Sequence, residues 1–111
     1  MAGTFVIEQG AAGKYRFNLK AGNNEIILTS ETYEAKSGAQ NGIASVRTNS
    51  QDDARFQRKT ATDGSPYFVL TAENGKTIGK SEMYSSDKAM ENGIKSVASN
   101  APGAKVVDKT A

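Results

Sequence analysis

Apolar and polar positions alternate over residues 14–21: Tyr15, Phe17, Leu19 and Ala21 fall between Lys14, Arg16, Asn18 and Lys20. A period of two is that of a strand with one buried face. Phe68, Leu70 and Ala72 repeat it. Asn74-Gly75 follows, and both residues tolerate positive φ, so a type I′ hairpin is predicted there. Gly22-Asn23-Asn24 takes the corresponding place after the first strand, and 25–30 and 76–81 read as the returning strands. The period then changes. Ala35, Ala39, Ile43 and Val46 are spaced by four, four and three, one stripe of a helix, and Met90, Ile94 and Val97 repeat it. Ser85 or Ser86 with Asp87 supplies an N-cap and a favourable first-turn charge for the second helix, whereas Glu34-Ala35 leaves the first start less well fixed. Asn49 and Asn100 mark the ends, and Pro102 bars continuation. Gly42 and Gly93 lie inside the helices, where Gly costs about 1 kcal/mol relative to Ala. Keeping it in both predicts a close backbone approach of helix to sheet.

These paired elements are copies. Shifted by 51 residues, positions 5–49 fall on 56–100 without a gap, and 16 of the 45 pairs are identical. Unrelated sequences of ordinary composition would share about three. A short extended segment closes each copy, at 54–59 and 104–109, and 5–8 matches the first of these at the start of the chain. The middle segment therefore ends one unit and begins the next. The expectation is a single α+β domain over 1–111, made of unit one (about 1–60) and unit two (about 54–111). One sheet would carry both helices on one face.

The Asn74-Gly75 hairpin, the Ser-Glu-x-Tyr turns at 30–33 and 81–84, and Asn-Gly-Ile-x-Ser-Val at 41–46 and 92–97 resemble the YegP family. These are small bacterial proteins of unknown function with one or two copies of this unit. The resemblance covers nearly the whole chain. It implies tandem βββαβ units that form one antiparallel sheet and exchange their last strands, and it carries over no catalytic residues. Departures are small: Pro66 stands where the first copy has Tyr15, and Glu34 and Ala35 stand where the second has Ser85 and Ser86.

Composition narrows the chemistry. Cys and His are absent, which removes a thiolate nucleophile, a zinc–thiolate site and the usual Ser-His pair. Acidic spacing of a calcium loop and a Gly-rich phosphate loop are missing, so no metal or cofactor is expected. The net charge of +2 is scattered along the chain. No apolar run reaches bilayer length, and the first residues show neither a basic nor an apolar leader region. A cytoplasmic monomer is expected, the tandem copy taking the place of a second subunit.

Three functions compete. A non-catalytic protein- or peptide-binding module would use the helix-free sheet face, where strict alternation places Ile26, Leu28, Tyr67 and Val69 as one apolar patch. Burial of Ile26 and Leu28 would remove that patch. A nucleic-acid binder would use Arg55, Arg58 and Lys59 around Phe56, with Lys14, Arg16 and Lys20 on a neighbouring strand and Tyr67 for stacking. A hydrolase would use Glu31 and Glu82, beside the hydroxyls of Ser30, Ser81, Tyr33 and Tyr84. The structural reading of those turns is preferred: Ser and Glu satisfy free helix N–H groups and Tyr joins the core.

Overall fold

The computed structural model describes residues 3–110. Met1, Ala2 and Ala111, the ends of the expected 1–111 domain, lie outside the described residues. Strands β1 (Thr4–Gln9), β2 (Tyr15–Lys20) and β3 (Ile26–Ser30) precede helix α1 (Lys36–Asn49). A short 3-10 turn leads into β4 (Phe56–Thr60), β5 (Pro66–Thr71) and β6 (Thr77–Lys80). Helix α2 (Asp87–Asn100), a second 3-10 turn and β7 (Lys105–Asp108) complete the chain. All seven strands form one sheet in the order β4-β5-β6-β3-β2-β1-β7. The fold is α+β, with two tandem βββαβ repeats and both helices on one face: Phe17 packs under Gly42 of α1, and Phe68 under Gly93 of α2.

The exchanged strand is β7, which leaves its own repeat to pair with β1. That pairing is parallel, whereas every other one is antiparallel, so the sheet is mixed. Arg47 of α1 fixes the arrival: its guanidinium donates to the Ala104 carbonyl at 2.6 Å and lies over the Phe5 ring. At the opposite edge β4 pairs with β5 alone. Gln57, Arg58 and Lys59 line this edge, and charge there discourages edge-to-edge pairing.

The hairpins close differently from the predicted type I′ turn. Asn74 is not at positive φ; only Gly75 is, at 84°. Gly75 N–H donates to the Ala72 carbonyl and Ala72 N–H to the Lys76 carbonyl, a three-residue loop with one left-handed position. The other three hairpins repeat this bonding, with Gly13, Gly64 and Asn24 in the left-handed place.

Strict alternation also fails in β3 and β6. Leu19 faces Leu28 while Lys20 faces Ile26, so Ile27 is an extra residue in the ladder, and Ile78 is its counterpart between Thr77 and Gly79. The bulge lets both Ile27 and Leu28 enter the core. The pseudo-dyad runs between Thr29 and Lys80, equivalent residues that pair directly across β3 and β6. Beside it the copies must differ. A side chain at Gly79, the equivalent of Leu28, would meet Leu28 Cγ and the Thr29 carbonyl oxygen, each at 2.9 Å.

Candidate functional site

The Ser-Glu-x-Tyr turns hold the sheet to its helices. Ser30 Oγ accepts from Phe17 N–H at 2.8 Å and donates to the Glu31 carbonyl at 2.7 Å. Ser81 does the same with Phe68 N–H and the Glu82 carbonyl. Both serines are buried with proton and lone pair committed, so neither is a free nucleophile. They do not cap the helices, as the sequence reading supposed. Ser86 caps α2 by accepting from Ala89 N–H, and Ala35 begins α1 with no side-chain cap. Tyr33 and Tyr84 each stack on a core Phe, at 6.3 and 6.2 Å between centroids.

Glu31 and Glu82 are exposed, and their carboxylates make no hydrogen bond or ion pair with the described residues. Both line a groove of about 330 Å³ over the dyad, with Thr29 and Lys80 between them. Glu31 faces Ile78, so Glu82 stands four residues further along, roughly 13 Å at strand rise. Nothing in the described structure orients either carboxylate on a nucleophile or on the other. Among the described residues no group of His, Cys, Asp and Glu is placed to hold a metal ion.

The predicted apolar patch does not form. Leu28 is 0% exposed in the helix-side core, and Val69 is 7% exposed. Ile26 remains at 37%, and Tyr67 is half-buried under Lys80, whose ammonium lies 5.0 Å from the ring centroid. The helix-free face carries the row Gln57–Val69–Lys80–Thr29–Asn18–Val6–Val107 across all seven strands. It shields its own apolar members: Val6 and Val69 are buried with no helix above them, and so is the polar Asn18 between Val6 and Thr29.

The basic residues do not gather either. Strand β2 is not a neighbour of β4, since β3, β6 and β5 lie between them. Arg58 is clamped by Glu91 at 2.8 Å and Asp53 at 2.9 Å, and these bonds raise its pKa while lowering theirs. Lys14 pairs with Glu34 and Arg55 with Asp52. Phe56 is core, as predicted.

What the sequence reading missed is a pair of clefts on the helix side. In the first, Asn41, Gly42 and Ser45 of α1 face Ala72, Lys76 and Thr77 of the β5–β6 hairpin, across Tyr33. In the second, Asn92, Gly93 and Ser96 of α2 face Ala21, Glu25 and Ile26 of the β2–β3 hairpin, across Tyr84. Their volumes are about 360 and 290 Å³. Each joins the helix of one repeat to the hairpin of the other. The close approach of helix to sheet that Gly42 and Gly93 signal is present, and it is to aromatic side chains: Tyr33 and Phe17 under Gly42, Tyr84 and Phe68 under Gly93. A methyl on Gly42 would lie 2.5 Å from Tyr33 Oη, and one on Gly93 would strike Tyr84 Oη. Each phenol hydroxyl thus lies against its helical glycine, on a tyrosine that lines the cleft. Neither has a hydrogen-bond partner among the described residues, and burial first, then nearby Glu31 or Glu82, raises both pKa values. At neutral pH both are intact O–H groups.

Identity between the copies separates the two kinds of residue. Asn23/Asn74, Ser30/Ser81, Ser45/Ser96 and Asn49/Asn100 all make internal hydrogen bonds. The Asn41/Asn92 side chains, the Tyr33/Tyr84 hydroxyls and Glu31/Glu82 make none with described residues. The first two of these pairs line the clefts.

Comparison with known proteins agrees with this architecture. Residues 11–57 and 61–108 each match the model of a domain of unknown function, DUF1508. A UPF0339 protein of Bordetella pertussis is 61% identical over 110 residues, covering 99% of this chain and 98% of that protein. The UPF0339 protein YegP of Escherichia coli K12 is 47% identical over 110 residues, covering 99% and 100%. The solution structure of E. coli YegP superposes with a TM-score of 0.93 at 47% identity, over 98% of this chain and 94% of that one. That of a UPF0339 protein from Shewanella oneidensis gives 0.91 at 48%, over 97% and 92%. With two copies of the DUF1508 domain in this chain and full-length relatives on the same fold, this chain belongs to the YegP (UPF0339) family.

Proposed function

We propose that this protein is a non-catalytic binding module whose two clefts each hold a short extended peptide segment. One observation carries the reading: Tyr33/Tyr84 hydroxyls and Asn41/Asn92 amides are kept in both copies, have no internal partner, and converge on the clefts. A phenol hydroxyl, a carboxamide and a serine hydroxyl over a glycine floor match the donors and acceptors of a peptide bond. The volumes lie near the lower end for ligand pockets, enough for one or two residues. Phenylalanine would fill the tyrosine ring site equally well, so packing does not account for the hydroxyl.

Titration of the ¹⁵N-labelled full chain with N-acetylglutamine methylamide tests this. The amides of Gly42 and Gly93 and the side-chain amides of Asn41 and Asn92 should shift. Tyr33→Phe and Tyr84→Phe should each abolish the shifts in their own cleft while thermal stability stays within about 0.5 kcal/mol of the parent. Shifts confined to the helix-free face, or none anywhere, would overturn the reading.

A further inference from the structure

The two clefts share their polar floor but not their rims. Where the first has Lys76 and Thr77, the second has Glu25 and Ile26. Glu82 also lines the second cleft, whereas its equivalent Glu31 lines only the dyad groove. The second rim thus carries two carboxylates and an exposed isoleucine, and the first a single ammonium beside a threonine, with the Glu31 carboxylate outside the rim but near enough to act on Tyr33. From this juxtaposition we infer that the clefts have different specificities: the α2 cleft takes a cationic residue with an aliphatic stem, such as lysine, and the α1 cleft an anionic one. Duplication supplied one recognition floor twice, and divergence at 25/76 and 26/77 gave each its own charge.

The chemistry follows from the rim geometry. A lysine stem lying along Ile26 would bury methylenes while its ammonium meets Glu25 and Glu82. The same ammonium in the α1 cleft would face Lys76, and like charges repel there. Exposed charge pairs are individually weak, so the selection is modest, about fivefold in apparent affinity between clefts. It should fade as salt shortens the screening length to about 3 Å near 1 M. A ligand carrying both signs would engage the two clefts through opposite ends.

This inference rests on the peptide-binding reading, and the experiment separates their failures. The ¹⁵N-labelled full chain is titrated in parallel with N-acetyllysine methylamide, N-acetylglutamate methylamide and the neutral N-acetylglutamine methylamide. Gly93 and Gly42 amides report one cleft each. The lysine probe should shift Gly93 at about fivefold lower concentration than Gly42, the glutamate probe the reverse, and the neutral probe both alike. Exchanging the rims (Glu25→Lys with Lys76→Glu) should invert the order. Glu25→Gln alone should lessen the lysine preference at Gly93, Glu82 and Lys76 keeping part of it, and serves if the exchange disturbs folding. If all three probes shift both glycines equally and the exchange changes nothing, charge selection is wrong while peptide binding stands. If no probe shifts either glycine, the peptide-binding reading falls and this inference with it.

Discussion

The first repeat and the second use one plan but meet different neighbours at the dyad and at the outer edges, and there the two cannot be alike. Each closes its hairpins by the same bonding, satisfies Phe17 or Phe68 N–H with a serine, and seats a tyrosine under a helical glycine. These features lie within one repeat or contact the other at equivalent points. At the dyad no such duplication is available. Leu28 fills the space beside β6, and its equivalent must be Gly79. At the outer edges the asymmetry is topological. A chain with two repeats has one strand left over, β7, which covers β1 and is fastened by Arg47, while Ala98 stands at the equivalent place in α2 and β4 stays an edge. Pseudo-symmetry in a single chain is thus limited by sterics at its axis and by strand count at its ends.

The dyad gives the largest test of this comparison. Leu28→Gly should cost about 4 kcal/mol through the cavity it leaves, and Gly79→Leu about 3 kcal/mol through overpacking. The exchange of both residues should recover about 2 kcal/mol of their sum, because one leucine again fills one space. Urea denaturation of the four proteins measures that coupling, and strict additivity would show that the two positions do not compete. Next come the serines, where the repeats should behave alike. Ser30→Ala and Ser81→Ala each strand a buried N–H, and each should cost about 2 kcal/mol. A loss in only one of them would break the equivalence.

The helix starts should show a smaller and unequal response. Ser86→Ala should cost about 1 kcal/mol, whereas Ala35→Ser should add a few tenths by supplying a cap α1 lacks. Smallest is the acid response of the strand that only one edge has. Hydrogen bonds from Thr110, then Lys36, hold the Asp108 carboxyl at about 2, below its ordinary 3.8. A folded pKa below the unfolded one means the contribution is complete above the unfolded value and lost as pH falls from about 4 through about 2. Stability should drop across that window more in the parent than in Asp108→Asn, followed by thermal melts at each pH.

Much of this fold was legible because it is local. The alternation over Tyr15–Lys20, the helical stripes and the repeat offset all express contacts within one repeat. The bulge at Ile27 was not, since one extra residue in a ladder reverses the facing of everything beyond it and leaves no mark on composition. That single residue moved Leu28 from the expected patch into the core. Strand order was equally hidden, so basic segments on β2 and β4 looked adjacent when three strands part them. The clefts were out of reach for the same reason: each is half helix from one repeat and half hairpin from the other. Their residues were nevertheless visible as repeated identities at Tyr33/Tyr84 and Asn41/Asn92, and what was missing was the knowledge that folding leaves them unpaired.

Composite clefts require that the repeats hold together as one body, which native-state hydrogen exchange measures directly. With denaturant added, the slowest amides of β2 and of β5 should converge on a single opening free energy equal to that of global unfolding. Two separate plateaus, one per repeat, would mean that the halves open independently and that the clefts between them are not a permanent feature of the folded chain.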